Sequence, residues 1–228
     1  MISAIVPALN EESGIARTIE ALRSLPDPVE VIVVDGGSSD NTVPIAENLG
    51  VRVVRSERGR GVQMNLGALA ATGEVLWFVH ADTTPCAATT AQMLQALSRG
   101  PVAGGNFTLV FNGRSPGARL LTFLQPFMKR LGSYYGDSTI FVKRETYFAL
   151  GGFKPYPLFE DSDLIQRIKR AGEFVSLPAT VRTSSRRFEQ RGFCLTCLWW
   201  SSLQVLYWMG VPAARLERLY GPVRRNSA

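Results

Sequence analysis

Histidine is almost absent: His80 is the only one in 228 residues. A zinc centre needs several nitrogen or sulfur ligands, so none is expected. Cysteine is scarce, with Cys86, Cys194 and Cys197 alone. An odd, small number gives no disulfide framework and suits a reducing compartment. Cys194-x-x-Cys197 has redox spacing, but it opens an apolar segment and reads as packing. No Gly-x-Gly-x-x-Gly follows the first strand-like run, and no Gly-x-x-x-x-Gly-Lys-Ser/Thr occurs, so dinucleotide and P-loop chemistry are unsupported. The net charge is +6, yet no Lys/Arg run or recognition motif accompanies it. Nucleic acid is therefore not an expected partner, whereas phosphates and anionic lipid are. The N-terminus lacks a basic stretch and runs directly into strand-like sequence, so no signal peptide is expected and a cytoplasmic location is. Internal repeats and low-complexity tracts are missing too.

What is present is a regular alternation. The 46% hydrophobic content is enough for a sizeable core. Ile2 to Ala8 reads as a strand, and Leu9 to Ser13 as a loop and helix start, with Asn10 as N-cap and Glu11 and Glu12 in the first turn. Ile15, Ile19, Leu22 and Leu25 form an apolar helical face, ended by Pro26-Asp27-Pro28. Val29 to Val34 is a second strand, followed by Asp35-Gly36-Gly37-Ser38-Ser39-Asp40 and a helix to Leu49 capped by Ser39 or Asp40. Val51 to Arg55 is a third strand, and Val62 to Ala71 a third helix. Val75 to Val79 is a short apolar run, read as a strand buried on both faces. This β-α-β-α-β-α-β order predicts an α/β fold with a mostly parallel central sheet and helices on both faces.

Beyond it the spacing predicts a helix over Thr89 to Ser98 and a strand over Val102 to Asn112. Gly113 to Gly117 reads as a linker, and Ala118, Leu121, Leu124, Met128 and Leu131 as a helical face broken at Pro126. A strand over Thr139 to Val142 and a short helix over Lys143 to Leu150 follow. A further helix opens at Phe159 to Leu164, and Phe174 to Val181 is a strand pair or extended piece. Cys194 to Val211 is the most apolar segment, about 18 residues, at the lower limit for a membrane span. Ser201, Ser202 and Gln204 at its centre argue against spanning. Two readings stay open: a helix lying peripherally in a membrane interface, or one packed on the core or on a second copy in a homodimer.

The polar residues that matter stand after strands, where ligands of open α/β sheets bind. Asp82 sits just beyond Val75 to Val79. It is either a cap of the Thr83-Thr84-Pro85 turn or an oxygen ligand for a hard divalent cation. Glu160, Asp161 and Asp163 lie in the first turn of their helix, where capping is the competing reading.

The motifs Val6-Pro7-Ala8-Leu9-Asn10-Glu11, Val33-Val34-Asp35-Gly36-Gly37-Ser38-Ser39-Asp40, Asn65-Leu66-Gly67-x-x-x-Ala71-x-Gly73, His80-Ala81-Asp82 and Glu160-Asp161 occur in one order and spacing. In this the chain resembles the family 2 glycosyltransferases, which have the GT-A fold, over roughly residues 1–190. Residues 191–228 then form an apolar helix and basic tail. Gly59-Arg60-Gly61-x-Gln63-Met64-Asn65, Gly136-Asp137 and Arg186-Arg187-Phe188-x-x-Arg191-Gly192 are similar to the short single-domain members associated with arsenosugar biosynthesis.

The resemblance implies a metal-dependent, inverting hexosyltransferase using a nucleotide-sugar donor, UDP-linked, and a small-molecule or lipid acceptor. Pro7, Ala8, Asn10, Glu11 and Asp35 would line the uridine pocket, and Asp82 would hold Mg²⁺ or Mn²⁺ at the donor diphosphate. His80 stands where the family's Asp-x-Asp element has its first Asp, with Ala81 between, so carboxylate contact with the ribose is not carried over. Arg60 and Arg187 would contact phosphate. Asp161 matches the general base, with Glu160 its neighbour in the motif. Two competing functions are a nucleotidyltransferase, whose basic glycine-rich first loop is missing, and a non-catalytic membrane or partner module on a degenerate GT-A fold.

Overall fold

A computed structural model describes residues 1–112, 122–123 and 139–184, and of the C-terminal segment 199, 202–203, 205–207, 209–213 and 215–216. The first half alternates: β1 (Ile2–Ala8), α1 (Ile15–Arg23), β2 (Val29–Asp35), α2 (Thr42–Asn48), β3 (Arg52–Arg55), α3 (Arg60–Ala70) and β4 (Val75–Phe78). Then come β5 (Thr84–Pro85), α4 (Thr89–Leu97) and β6 (Val102–Phe111). Later elements are β7 (Ile140–Lys143), α5 (Arg144–Ala149), α6 (Glu160–Ala171) and β8 (Glu173–Thr183).

Among the described residues one sheet runs in the order β3-β2-β1-β4-β7-β6-β8-β5. Its first four strands are parallel. β7 is antiparallel to both β4 and β6, and β6 pairs in parallel with β8. The expected parallel sheet therefore holds for its first half, and the second half is mixed. Because β7 returns antiparallel, Ile140 at its start pairs with Phe78 at the end of β4.

Apolar residues occupy both faces of the central strands. Ala4, Val6, Val31, Val33 and Trp77 pack with Ile15, Ile19, Leu22 and Met93 on one side. Ile5, Ile32, Val34, Leu76 and Phe78 pack with Met64, Ala68, Tyr147, Leu164, Ile165 and Ile168 on the other. Successive strand residues point to opposite faces, so only near-continuous apolar runs can serve both layers. Gly67 lets α3 lie close to the sheet: a Cβ there would stand 2.4 Å from Ile5 Cγ2 and 2.8 Å from Val34 Cγ2.

Three local expectations are corrected. Asn10 is not an N-cap: α1 begins at Ile15 behind Gly14, with no acidic residue in its first turn. Asn10 instead takes φ 54, and its Oδ1 accepts the Ser39 amide at 2.8 Å. Asparagine tolerates that left-handed geometry, so it serves a loop junction better than a helix start. Helix α3 starts at Arg60 rather than Val62, which brings Arg60 into its first turn. The stretch after α6 is one strand, with a register shift opposite Phe107 and Thr108 where Pro178 lacks an amide to donate.

The linker 113–117 and most of the helix foreseen over 118–131 lie outside the described residues. In the C-terminal segment Leu203 and Leu216 are buried with Leu158 and Phe159, and Tyr207 and Val211 pack on that cluster. No helix among the described residues is long and apolar enough to cross a membrane.

Candidate active site

The chain runs from β1 outward to β2 and β3, then crosses to β4 on the other side of β1. Between β1 and β4 the winding direction reverses, and a crevice opens beyond the carboxyl ends of these strands. A cleft lies there, lined by Pro7, Arg60, Met64, Phe78, Val79, His80, Ile140, Phe153 and Asp161. Pro7, Arg60, His80 and Asp161, expected at a site from sequence, thus share one cavity. Phe78 and Phe153 meet edge to face at 4.8 Å and give it an apolar wall.

The rim of β1 and β2 is a hydrogen-bonded junction. Ala8 closes β1 opposite Asp35 of β2. The Ala8 carbonyl accepts the Gly36 amide at 2.9 Å. Asp35 is buried, and its carboxylate accepts the amides of Gly37 and Ser38 at 3.1 Å each. The Glu11 amide donates to Thr42 Oγ1 at 2.8 Å. Asp35 therefore braces its own turn while closing one side of the rim, and Asn10 and Glu11 sit in the adjoining loop.

Gln63, whose role the sequence did not disclose, holds this rim from below. It is buried on the sheet face of α3, and its Nε2 donates to the carbonyls of Ala8 at 3.0 Å and Val34 at 2.8 Å. Those carbonyls lie where β1 and β2 end, and at Ala8 the side chain adds a second donor beside the Gly36 amide. The signal was a lone amide between buried Gly61, Met64 and Gly67.

Arg60 stands at the mouth of the cleft between two partners. Its Nη2 lies 2.7 Å from His80 Nε2. A guanidinium only donates, so Nε2 must accept and the imidazole carries its proton on Nδ1. On the other side Arg60 Nε lies 3.3 Å from Glu160 Oε1, with side-chain exposures of 40% and 5%. That carboxylate oxygen has no aligned hydrogen-bond donor among the described residues, so the attraction is ionic. Glu160 faces Arg60, whereas Asp161 lines the cleft. Asp161 Oδ1 accepts the Ser162 amide at 2.7 Å.

Beyond β4, the Ala81 carbonyl accepts Thr18 Oγ1 at 2.8 Å, tying the His80–Asp82 turn to α1. Asp82 is half-buried, and Thr183 Oγ1 of β8 lies 3.4 Å from its Oδ1. Asp82 does not line the cleft's apolar floor but stands after the same strand as His80. Arg187 lies outside the described residues.

The loop from Gly152 to Phe159 carries the second half of the site. Tyr147 Oη donates to Asn65 Oδ1 at 2.5 Å, and burial pushes its phenol well above the usual range. The same Asn65 oxygen accepts the Phe153 amide at 2.9 Å, and Asn65 Nδ2 donates to the Phe153 carbonyl at 2.8 Å. Gly152 takes φ +66, and a Cβ there would fall 2.6 Å from Asn65 Oδ1. Thr139 and Phe159, at the two further non-glycine positive-φ positions among the described residues, have φ 52 and 63. Thr139 adjoins Ile140 and Phe159 stands two residues before Asp161, both of which line the cleft, and strained backbone of this kind clusters at functional sites.

Comparison with known proteins agrees with this layout. An uncharacterized glycosyltransferase of Mycobacterium tuberculosis is 36% identical over 110 residues, which are 45% of this chain and 42% of that protein. The chain thus matches less than half the length of that relative. The glycosyltransferase AglE of Haloferax volcanii is 27% identical over 179 residues, covering 72% of this chain and 59% of AglE. Among solved structures, a mannosyltransferase from Pyrobaculum calidifontis in complex with GDP-Man and Mn²⁺ superposes with a TM-score of 0.67 at 22% identity, over 84% of this chain and 58% of that one. Glucosyl-3-phosphoglycerate synthase from Mycobacterium tuberculosis, in complex with Mn²⁺, UDP and glucosyl-3-phosphoglycerate, gives a TM-score of 0.61 at 24% identity, over 79% and 70%. These likenesses establish the GT-A fold. The family model described as glycosyl transferase family 2 matches residues 3–156, from the first strand to the loop that brings Phe153 into the cleft, and by that match the chain belongs to glycosyl transferase family 2.

Proposed function

We propose that this chain is a metal-dependent, inverting glycosyltransferase that moves a hexose from a nucleotide-diphosphate donor, a UDP-sugar, to an acceptor hydroxyl of a small molecule or lipid. The observation that carries this reading is the shared cleft in which Arg60 and Asp161 both present their side chains. A cation there suits a departing diphosphate, and a carboxylate suits removal of a proton from an attacking hydroxyl. The N-terminus of α3, which carries Arg60, adds partial positive charge on the same side.

In this mechanism Asp161 takes the acceptor proton as the acceptor oxygen bonds to the anomeric carbon. The bond from that carbon to the diphosphate breaks on the opposite face, and Arg60 meets the charge that develops. Pro7, Ala8 and Asp35, with the Asn10–Glu11 loop, frame the nucleoside. Glu160 orients Arg60 from below and His80 from the side.

Among the described residues no three His, Cys, Asp or Glu gather into a metal cage. That suits Mg²⁺ or Mn²⁺, hard cations that draw most of their oxygens from substrate phosphates and water. Asp82 would hold the ion, because it supplies a carboxylate beside the cleft and the His80 Nε2 is engaged with Arg60. When bound, the ion neutralises charge on the leaving diphosphate. The solved relatives with GDP-Man and Mn²⁺, and with UDP and Mn²⁺, support this assignment.

The test is single-turnover transfer with a panel of UDP-, GDP- and dTDP-sugars, followed by Asp161→Asn at saturating donor. Asparagine has nearly the same size, and its amide oxygen can still accept the Ser162 amide, so melting should stay near native. Transfer should fall about a hundredfold or more. A variant that keeps over about a tenth of the wild-type rate sinks the assignment. Release of pyrophosphate from UTP, with no UDP released from any sugar donor, would establish nucleotidyl transfer instead.

A further inference from the structure

The residue that opens the turn bearing Asp161 has an unfavourable backbone conformation and stacks on Tyr207 of the C-terminal segment. Phe159 has φ 63 and ψ 20 at the start of α6. This left-handed region is unfavourable for a bulky residue and persists only where its surroundings enforce it. No side chain among the described residues caps α6. The Phe159 carbonyl itself accepts the Asp163 amide at 3.0 Å, so its orientation sets the first turn and with it Asp161.

The Phe159 ring is stacked on Tyr207, with centroids 4.6 Å apart and planes 23° from parallel. Phe159 is 7% exposed, and Leu158, Leu203 and Leu216 close the rest of the cluster. The Tyr207 phenol is pushed above its usual range, first by burial and then by Asp163, Tyr156 and Asp161. At its other end the same loop is pinned by Asn65 through Phe153. The loop is thus fixed at two points, one on α3 and one on the C-terminal segment.

We infer that Tyr207 is a positioning residue: its ring holds Phe159 in the left-handed conformation that presents Asp161 to the cleft, which makes the C-terminal segment a working part of the site. The role in catalysis rests on the proposed transferase reading; the conformational role does not. The stack acts through the ring, so Tyr207→Phe keeps the function and Tyr207→Leu loses it.

Two measurements test this on the full chain. The first is amide exchange at Asp163 and Leu164, with amides of β1 and α3 as internal controls. Tyr207→Leu should speed exchange about tenfold or more at Asp163 and Leu164 only, and Tyr207→Phe should stay within about threefold of wild type. The second uses Mn²⁺ with UDP-glucose or GDP-mannose, whichever the wild type turns over. There kcat should fall about tenfold or more in Tyr207→Leu with donor KM within about twofold, and Tyr207→Phe should restore it. Unchanged exchange in Tyr207→Leu overturns the inference. So does faster exchange throughout the molecule, which would make Tyr207 a general fold contact. A Tyr207→Phe variant as impaired as Tyr207→Leu overturns it as well, by assigning the effect to the hydroxyl. If the wild type turns over neither donor while exchange responds as expected, positioning stands and the transferase reading falls.

Discussion

Replacing Arg60 should destabilise the fold more than replacing its partner Glu160, and replacing both should restore most of the loss. The asymmetry follows from exposure: the Glu160 side chain is 5% exposed and the Arg60 side chain 40%. In Arg60→Gln the buried carboxylate loses the charge that compensates it, and its Oε1 has no aligned donor among the described residues to fall back on. Stranding one member of a fully buried pair costs about 3–5 kcal/mol. Water reaches the guanidinium here, so screening lowers the figure to about 2 kcal/mol. For a chain of this size that corresponds to roughly 4–8 °C in Tm. In Glu160→Gln the guanidinium can hydrate instead, at a cost of under about 1 kcal/mol. In the double variant no charge is stranded, so stability should lie within about 1 kcal/mol of wild type. Urea denaturation of the four proteins at neutral pH closes the cycle. Equal losses in the two single variants, or strictly additive losses in the double, would refute the reasoning.

Three further outcomes are expected. Gly67→Ala should lose about 1–3 kcal/mol in denaturant titrations, because its Cβ would stand 2.4 Å from Ile5 Cγ2 and α3 must lift from the sheet. Glu30 should make the fold sensitive to acid. Burial pushes its carboxyl up, but hydrogen bonds from Ser3 and Thr72 and the charge of Arg52 outweigh that, so its folded pKa lies below the ordinary 4.5. Its contribution is complete above that value and fades as pH falls through the folded pKa; Glu30→Gln should flatten the fall in stability measured by urea titration below about pH 4. Asp82→Ala should abolish the Mn²⁺ dependence of UDP binding, read by calorimetry, with an unchanged far-UV spectrum; unaltered Mn²⁺ dependence would remove Asp82 from the metal site.

The near-continuous apolar runs of β1, β2 and β4 could only serve a sheet buried on both faces, and the helices between them enforced the parallel, right-handed order. Strand ends in such a sheet converge on one edge, so Asn10, Glu11, Asp35 and Asp82 could be placed after strands from the sequence alone, whereas Pro7 and His80 entered through the family resemblance. That Arg60 and Asp161 reach the same cleft was legible only through the family resemblance. The tertiary structure decided the rest, for a common reason: periodicity reports which face is buried, not which distant group a polar atom meets. Asn10 read as a cap because its local pattern fits one, but Ser38 and Ser39, nearly thirty positions on, supply its partners. Glu160 and Asp161 are adjacent acids in one turn, and only the tertiary placement of α6 on β6 and β8 turns one to Arg60 and the other to the cleft. Gln63 looked like an ordinary polar helix residue until two strand ends were placed over it. The C-terminal segment offered its apolar character but not its target. What it covers is Leu158 and Phe159, the latter at a positive φ that no local pattern encodes and stacked on Tyr207.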